Sequence, residues 1–595
     1  MLPPSASEHN NALVAVDCGL TAILIAISFA WPRLGSGWFT RVERAFGRLA
    51  RRQILAVASV GLSALFLRIA ILPIFPIPVP FVPDDFSFLL AADTFAHGRL
   101  TNPTPEMWTH FESFHITMQP TYMSMYFPAE GLLLAAGKIL LGRPWFAVLC
   151  ADALMCAAIC WMLQAWIPAK WALLGGILAI LRLGLFSYWV NTYTGGGPIL
   201  AVGGALVLGS LPRLMKTARS RFGLLMAVGV ILLALTRPYE GLLLCLPVAV
   251  ALGRWACIGK NRPDAVVLLR RAAFPLALIV AALAWLGYYD YRAFGSPLTL
   301  PYTVNRATYA VAPYYIWQSQ RHEPAYRHPE MRRFYVDDEL AAFSKVHSRS
   351  LFIPMNIEKI WIAARFFAGF ALLFPLVMLH RVLRDRRIRF LLLCVLVLVA
   401  GNLIMIFLIP HYLAAFTSVF YAIGLQAMRH LRVWSPEGKP VGATIVRLTV
   451  VSCCLLAGLR LLAEPLKLKT SEWPVGYWSL IWSGPEHFGG ERAQIQSQLE
   501  KLTGNQLVIV RYSPKHETMN EWVYNFADID RSKVVWAREM DPAANQELIR
   551  YYRDRNVWLV EPDAIPARIS PYPVQNQVAA ASRGGALQQE RSLAP

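Results

Sequence analysis

Apolar runs of about 20 residues recur along this chain, and that is the length a helix needs to cross a ~30 Å hydrocarbon core. Candidate spans cover 13–31, 54–76, 145–166, 171–190, 197–212, 222–236, 239–256, 272–290, 357–380, 390–409, 411–428 and 444–462. Only 16% of the 595 residues are charged and 56% are hydrophobic, with a mean hydropathy of +0.42. Soluble domains carry about 25% charged residues. The chain therefore reads as an α-helical polytopic membrane protein of about twelve spans.

A net charge of +20 raises the question of nucleic acid. The position of the charge answers it. Five short loops, 32–53, 213–221, 254–271, 380–389 and 429–447, hold 24 basic residues against four acids, which accounts for all of it. By the positive-inside bias these loops are cytoplasmic and face anionic lipid. No nucleic-acid partner is expected. The same bias puts 77–127, 291–356 and the chain from 464 onward outside. The apolar stretch 128–142 is only 15 residues, about 22 Å as a helix. A full crossing there would invert every later loop, so it reads as a re-entrant or juxtamembrane helix. The first apolar run has no Lys or Arg before it and reads as a retained span with its N-terminus outside. All nine cysteines lie in spans or at their edges, so no disulfide is expected.

Beyond the last span, "SEWPVGYWSLIWSGPEHF" (471–488) suits an interfacial aromatic belt. Strands are expected at 506–512, 533–539 and 556–563, with helices at 491–503 and from Asp541. This pattern implies a small periplasmic α/β domain over 464–573, followed by a disordered tail, 574–595. The domain has no phosphate-binding glycine motif, so a structural or acceptor-docking role is the reading.

Asp84 and Asp85 follow a proline-broken run in "PFVPDDFSF". Two readings fit. Asp84 caps a helix from Phe86 to about Ala96, with Asp85 favoured by the helix dipole. Alternatively, one carboxylate at the membrane edge takes a proton from an acceptor hydroxyl while the other orients it or holds a metal. The loop that follows carries Trp108, His110, Glu112, His115, Gln119, Tyr122 and Tyr126. Aromatic faces and hydrogen-bonding side chains of this kind suit sugar, and they also suit packing on the membrane surface. The histidines lack metal-ligand spacing, so no metal site is assigned and a divalent metal stays open.

This layout resembles the GT-C membrane glycosyltransferases. More narrowly, it is similar to the branch with the protein O-mannosyltransferases, the aminoarabinose transferase acting on lipid A and the rhizobial galacturonosyltransferases. An acidic pair follows an early span, juxtamembrane helices come next, and "YFP" (126–128) stands where the family often has Tyr-Pro-Pro. "PHYLAAF" (410–416) resembles the family's Arg-Tyr-Leu-Leu-Pro segment, with His411 in place of Arg and each second proline absent. The resemblance covers roughly 54–430. It implies a GT-C-like catalytic domain over 54–463, preceded by an N-terminal span and basic loop, 1–53. It implies Asp84 and Asp85 as the catalytic pair, a polyprenyl-phosphate sugar donor, inversion at the anomeric carbon, and an envelope glycan, lipid or protein as acceptor. A bacterial inner membrane with a periplasmic site follows.

A lipid phosphate that gains charge as the sugar leaves needs cations at the outer interface. Arg237, beside Tyr239 and Glu240, lies at one outer helix end; His411 and Tyr412 lie at another. Arg306 and Arg321 sit in the Tyr-rich loop 300–335. Asn191, Tyr193 and the Gly195–Gly197 run lie at a third outer end. Each also has a bland reading as a capped turn, an interfacial anchor or a solvated loop. Two charges inside spans, Asp152 and Arg182, lie at similar depth and are expected to pair, with Arg68 nearby. The competing function is a lipid or sugar transporter or flippase. It would place polar groups near the midplane in matched halves, whereas here they cluster at outer helix ends. A scaffold with a partner-binding tail is the third reading.

Overall fold

The computed structural model describes residues 4–194, 196–259, 262–348, 350–463 and 489–573. The aromatic stretch 471–488, the tail from 574 and Gly195 lie outside the described residues. Helices α1 (Pro4–Ala30), α2 (Ser36–Arg51), α3 (Gln53–Ala70) and α4 (Pro83–Ala96) open the chain. Among the described residues, six helices are long and apolar enough to cross a membrane: α3, Trp145–Trp166, Gly197–Thr217, Pro238–Ile258, Ala265–Phe294 and Val441–Leu462. A multi-pass membrane protein follows. Phe352–Phe367 and Gly369–Arg384 form a further apolar pair bent by 100°. Ala15–Ala30, Ser220–Thr236 and Arg389–Leu403 are apolar but shorter.

Several apolar windows are broken rather than continuous. The window 171–190 is the helix Ala169–Ala179, a π turn at Ile180–Gly184 and a short helix Tyr188–Asn191. The window 411–428 starts with a 3₁₀ turn, Pro410–Phe416, before the helix Thr417–Arg432. That turn presses close to Gly197–Thr217, because a Cβ on Gly204 would sit 1.8 Å from the Ala415 carbonyl oxygen. Residue 204 must be glycine for the turn carrying His411 and Tyr412 to reach its place.

Asp152 and Arg182 do not pair. The bend at Gly369 explains why. Gly369 has φ +63°, and a Cβ there would lie 2.7 Å from Arg182 Nη1 and 2.8 Å from Asp17 Oδ2. The bend ends a helix, and a helix end leaves carbonyls without intrahelical partners. Arg182 donates to two of them, those of Arg365 and Phe366. Asp17 accepts from the Phe370 N–H at 2.9 Å on the other side. Asp152 feels Arg68 instead. Arg68 is itself held by the Phe75 carbonyl (3.0 Å), by Asn191 Oδ1 (2.8 Å) and over the Trp145 ring (4.9 Å).

At the other end of α3 from the arginine-rich α2, the loops 77–127 and 291–356 and the segment 489–573 pack together. The first loop folds as α4 and a small antiparallel sheet of β1 (Asn102–Pro103), β2 (Ile116–Thr117) and β3 (Thr121–Ser124), ordered β1-β3-β2. The apolar stretch 128–142 is the helix Pro128–Leu141, packed on α4. The C-terminal segment holds β4 (Asn505–Val510), β5 (Val534–Arg538), β6 (Arg555–Glu561) and β7 (Arg568–Pro571), ordered β5-β4-β6-β7. The first three strands are parallel, with Gln506 opposite Val534 and Asn505 opposite Arg555, as the alternation of strand and helix patterns predicts. The antiparallel edge strand β7 was not foreseen. Phe86, Leu90, Phe111 and Ile116 share one core with Leu507, Ile509, Tyr524 and Ala537. The sheet is thus built into the first loop, and α4 is buried along most of its length.

Candidate active site

Pro83 starts α4, its fixed φ suiting the first helical position. The helix therefore begins earlier than Phe86, and Val82, not Asp84, is the cap residue. Both acids lie in the first turn, where the helix dipole favours negative charge. The two carboxylates then diverge. Asp85 turns inward and is fully buried. It accepts from the Tyr193 N–H (2.9 Å), the Thr194 hydroxyl (2.6 Å) and the Phe81 N–H (3.4 Å). It pins the start of α4 to the 187–197 segment. Burial, only partly offset by those donors, pushes its carboxyl up to about 7.

Asp84 faces a different set. The Tyr126 hydroxyl donates to its Oδ1, and His115 Nδ1 stands 3.5 Å from the same oxygen. Burial would raise its carboxyl, but His115, Tyr126 and the nearby His411 outweigh burial and hold it at about 2. Asp84 is thus ionised above about pH 4 and adds nothing to pH dependence beyond that. An acid limb in activity near neutral pH is expected to persist in Asp84→Glu, because another group sets it.

His115 adopts φ +61°, a left-handed conformation uncommon for any residue but glycine. Such strain persists where surrounding structure enforces it. The Ser87 hydroxyl and the Met125 N–H both donate to its carbonyl, at 2.7 and 3.1 Å. Tyr126 stacks on Phe88 with ring centroids 4.3 Å apart. Tyr302 lies beside Tyr126 at 6.3 Å and stacks on Tyr314 at 5.1 Å. Across from them, Arg237 sits over the Tyr412 ring at 3.7 Å and pairs with Glu240 at 2.9 Å. Tyr412 lies within electrostatic reach of both Asp84 and Arg237. His411 Nδ1 and the Tyr188 hydroxyl are 3.0 Å apart. One constellation results: Asp84, His115, Tyr126, Arg237, His411 and Tyr412, with Tyr302 between them.

Other candidates lie elsewhere. Asn191 is committed to the chain: its Nδ2 donates to the Leu185 and Ser187 carbonyls and its Oδ1 takes Arg68. Tyr193 gives its hydroxyl to the Pro78 carbonyl at 3.1 Å. The side-chain polar atoms of both are thus bonded within the protein. Glu112 is buried in a second cluster, with the Tyr309 hydroxyl at 3.1 Å, Arg327 at 3.3 Å and His328 at 3.5 Å. Trp108 lies under Arg327 at 4.6 Å in that same region. Gln119 is exposed. Arg306 is already paired with Glu339 at 2.7 Å, and Arg321 donates to the Arg306 carbonyl at 2.5 Å from an exposed position. These two shape loop 300–335 through Glu339 and the Arg306 carbonyl. Tyr302, Tyr314, Tyr188 and Thr194 were not singled out by the sequence. For Tyr302 the one signal was its place in "LPYTVNR", a Pro-started helix inside a Tyr-rich loop. Among the described residues, no group of three or more His, Cys, Asp or Glu side chains is arranged to hold a metal.

An apolar cavity of about 460 Å³ lies between the bent pair 352–384, Arg389–Leu403 and Thr417–Arg432. Its wall is apolar except for Asn356, Lys359, Asn402 and the hydroxyl-bearing Tyr421. Lys359 donates to the Met405 carbonyl at 2.6 Å. Leu413, two residues from His411, lines the same cavity. The 410–416 turn thus has the carboxylate site on one side and the cavity on the other.

No family model and no curated protein matches the chain. Among solved structures it is similar to ArnT from Cupriavidus metallidurans in the apo state, with 14% identity, a TM-score of 0.45, and coverage of 86% of this chain and 93% of that one. It is also similar to the same protein bound to undecaprenyl phosphate (12% identity, TM-score 0.42, 85% and 92% covered). A third likeness is to the Archaeoglobus fulgidus oligosaccharyltransferase in complex with Zn and sulfate (10% identity, TM-score 0.45, 85% and 67% covered).

Proposed function

We propose that this protein is an inverting glycosyltransferase of the bacterial inner membrane. It takes a sugar from a polyprenyl-phosphate donor and passes it to a hydroxyl of an envelope glycan, lipid or protein on the periplasmic face. The observation that carries the reading is the 410–416 turn, which has the Asp84 site on one side and an apolar cavity, lined by Leu413, on the other. An isoprenoid chain fits such a cavity by the burial of apolar surface alone. The acceptor hydroxyl attacks the anomeric carbon, its proton goes to Asp84, and the bond from that carbon to the phosphate oxygen breaks. The electron pair leaves with the polyprenyl phosphate, whose added charge falls near Arg237. Tyr126, Tyr302 and Tyr412 provide the ring faces and hydroxyls that hold a sugar. A transporter reading is not favoured, because the polar constellation lies at one end of the helices rather than midway.

The purified protein in liposomes, given a lipid-linked sugar donor and an envelope extract, tests the reading. Transfer that needs Asp84 supports it; wild-type protein that moves labelled lipid across the bilayer without transfer overturns it. Two further outcomes are expected. Filling the cavity with Gly424→Trp, a site with nothing within 4 Å of an added Cβ, raises KM for the lipid donor about tenfold, or ~1.4 kcal/mol, with kcat little changed. Arg237→Gln lowers kcat by roughly 10²-fold, the usual effect of removing one charge-stabilising donor. Steady-state kinetics with varied donor checks both.

A further inference from the structure

Arg538, at the end of β5, is more than 400 residues from the first loop in sequence, yet it is buried against it. Its Nε donates to the Glu112 carbonyl at 2.6 Å. Its Nη2 is bound by Glu521, and Glu330 lies 3.8 Å from Nη1. Glu521 also accepts from the Ser113 hydroxyl at 2.9 Å. The guanidinium covers the Phe114 ring at 5.6 Å, and Phe114 packs on Phe334 at 4.8 Å. Residues 112, 113 and 114 are therefore each held by the C-terminal sheet or by what it holds. Residue 115 is the strained histidine against Asp84.

We propose that Arg538 is a positioning residue for the active site: the C-terminal domain grips Glu112–Phe114 so that His115 keeps its left-handed backbone and its imidazole stays against Asp84. The domain is then part of the catalytic machinery and not an appended module. The effect on rate rests on the glycosyltransferase reading; the effect on the loop does not. Strain needs an enforcing structure. Within the first loop the Ser87 and Met125 bonds hold the carbonyl of residue 115, and the Arg538–Glu521 pair holds the residues just before it.

Arg538→Lys is the test. It keeps a charge for Glu521, but a single ammonium cannot reproduce the fork that reaches both Glu521 and the Glu112 carbonyl. Hydrogen–deuterium exchange of peptides covering 111–118 is expected to speed up about tenfold or more, a shift of ~1.4 kcal/mol in local opening. The kcat for transfer is expected to fall roughly 10- to 100-fold with KM little changed, as for a small misplacement of a reacting group. In a His115→Ala background the same substitution should cost almost nothing more, because the shared route is already cut. If Arg538→Lys fails to fold, Arg538→Met with Glu521→Gln removes the buried unpaired carboxylate and repeats the measurement. Unchanged exchange overturns the proposal. So does a kcat loss that is as large in the His115→Ala background as in the wild type. If Asp84→Asn retains full transfer, the base assignment fails, and the exchange result still decides the clamp.

Discussion

Asp84→Asn lowers kcat for sugar transfer roughly 10²- to 10⁴-fold, the range a general base contributes. The chain still folds, because an amide oxygen at the Asp84 Oδ1 position still accepts from Tyr126. Binding of the lipid donor is little affected, since the cavity lies on the other side of the 410–416 turn. The variant also loses stability of a definite sign. The folded carboxyl sits at about 2, below its unfolded value of about 3.9. A group depressed in this way stabilises the folded state above about pH 4, and that stability is lost as pH falls through 2. Asp84→Asn therefore melts lower than wild type at pH 7 by an amount of order 2 kcal/mol, and the two converge on acidification. Thermal melts at several pH values, run beside the transfer assay, check both halves. An Asp84→Asn protein with wild-type kcat would sink the assignment of the base.

That both acids lie at the start of a helix was legible because a local signal suffices for it: Pro83 acts within a few residues. What each carboxylate does was not legible. Neighbours on a helix point about 100° apart, so one of two adjacent acids faces Tyr126 and His115 while the other is turned toward Tyr193 and Thr194. Asn191 and Tyr193 look like ligands beside a glycine run, yet their polar atoms serve carbonyls at 185, 187 and 78. The expected Asp152–Arg182 pair came from counting depth along straight helices. The break at Gly369 offers Arg182 backbone carbonyls that no hydropathy window shows. Arg306 was expected to carry charge for a phosphate, and its ion pair with Glu339, 33 residues on, was not foreseen. The hold of Arg538 on Glu112 spans 426 positions, beyond any local pattern.

Asp85 should behave unlike its neighbour. Its Oδ1 accepts both close bonds, from the Tyr193 N–H and the Thr194 hydroxyl, and Oδ2 accepts only the longer one from Phe81. Asp85→Asn keeps an oxygen for the first two, so the protein folds and transfers sugar within about tenfold of wild type, a cost near ~1 kcal/mol for the third bond. Asp85→Ala removes the acceptor altogether. The Tyr193 amide and Thr194 hydroxyl are then buried without it, at ~1–3 kcal/mol each, and the start of α4 comes loose from the 187–197 segment. Its activity falls with its stability. The pH dependence is opposite in sign to that of Asp84. Burial raises the folded Asp85 carboxyl to about 7, above the unfolded ~3.9, so the folded state binds the proton more tightly. Stability from this group is complete below about pH 4 and declines as pH rises through 7. An amide cannot ionise, so Asp85→Asn should gain on wild type between about pH 5 and 8, whereas Asp84→Asn should lose. A folded Asp85→Asn protein as inactive as Asp84→Asn would show that both carboxylates take part in the chemistry. Opposite slopes in the two melts, with activity kept in one variant only, would separate the strut from the base.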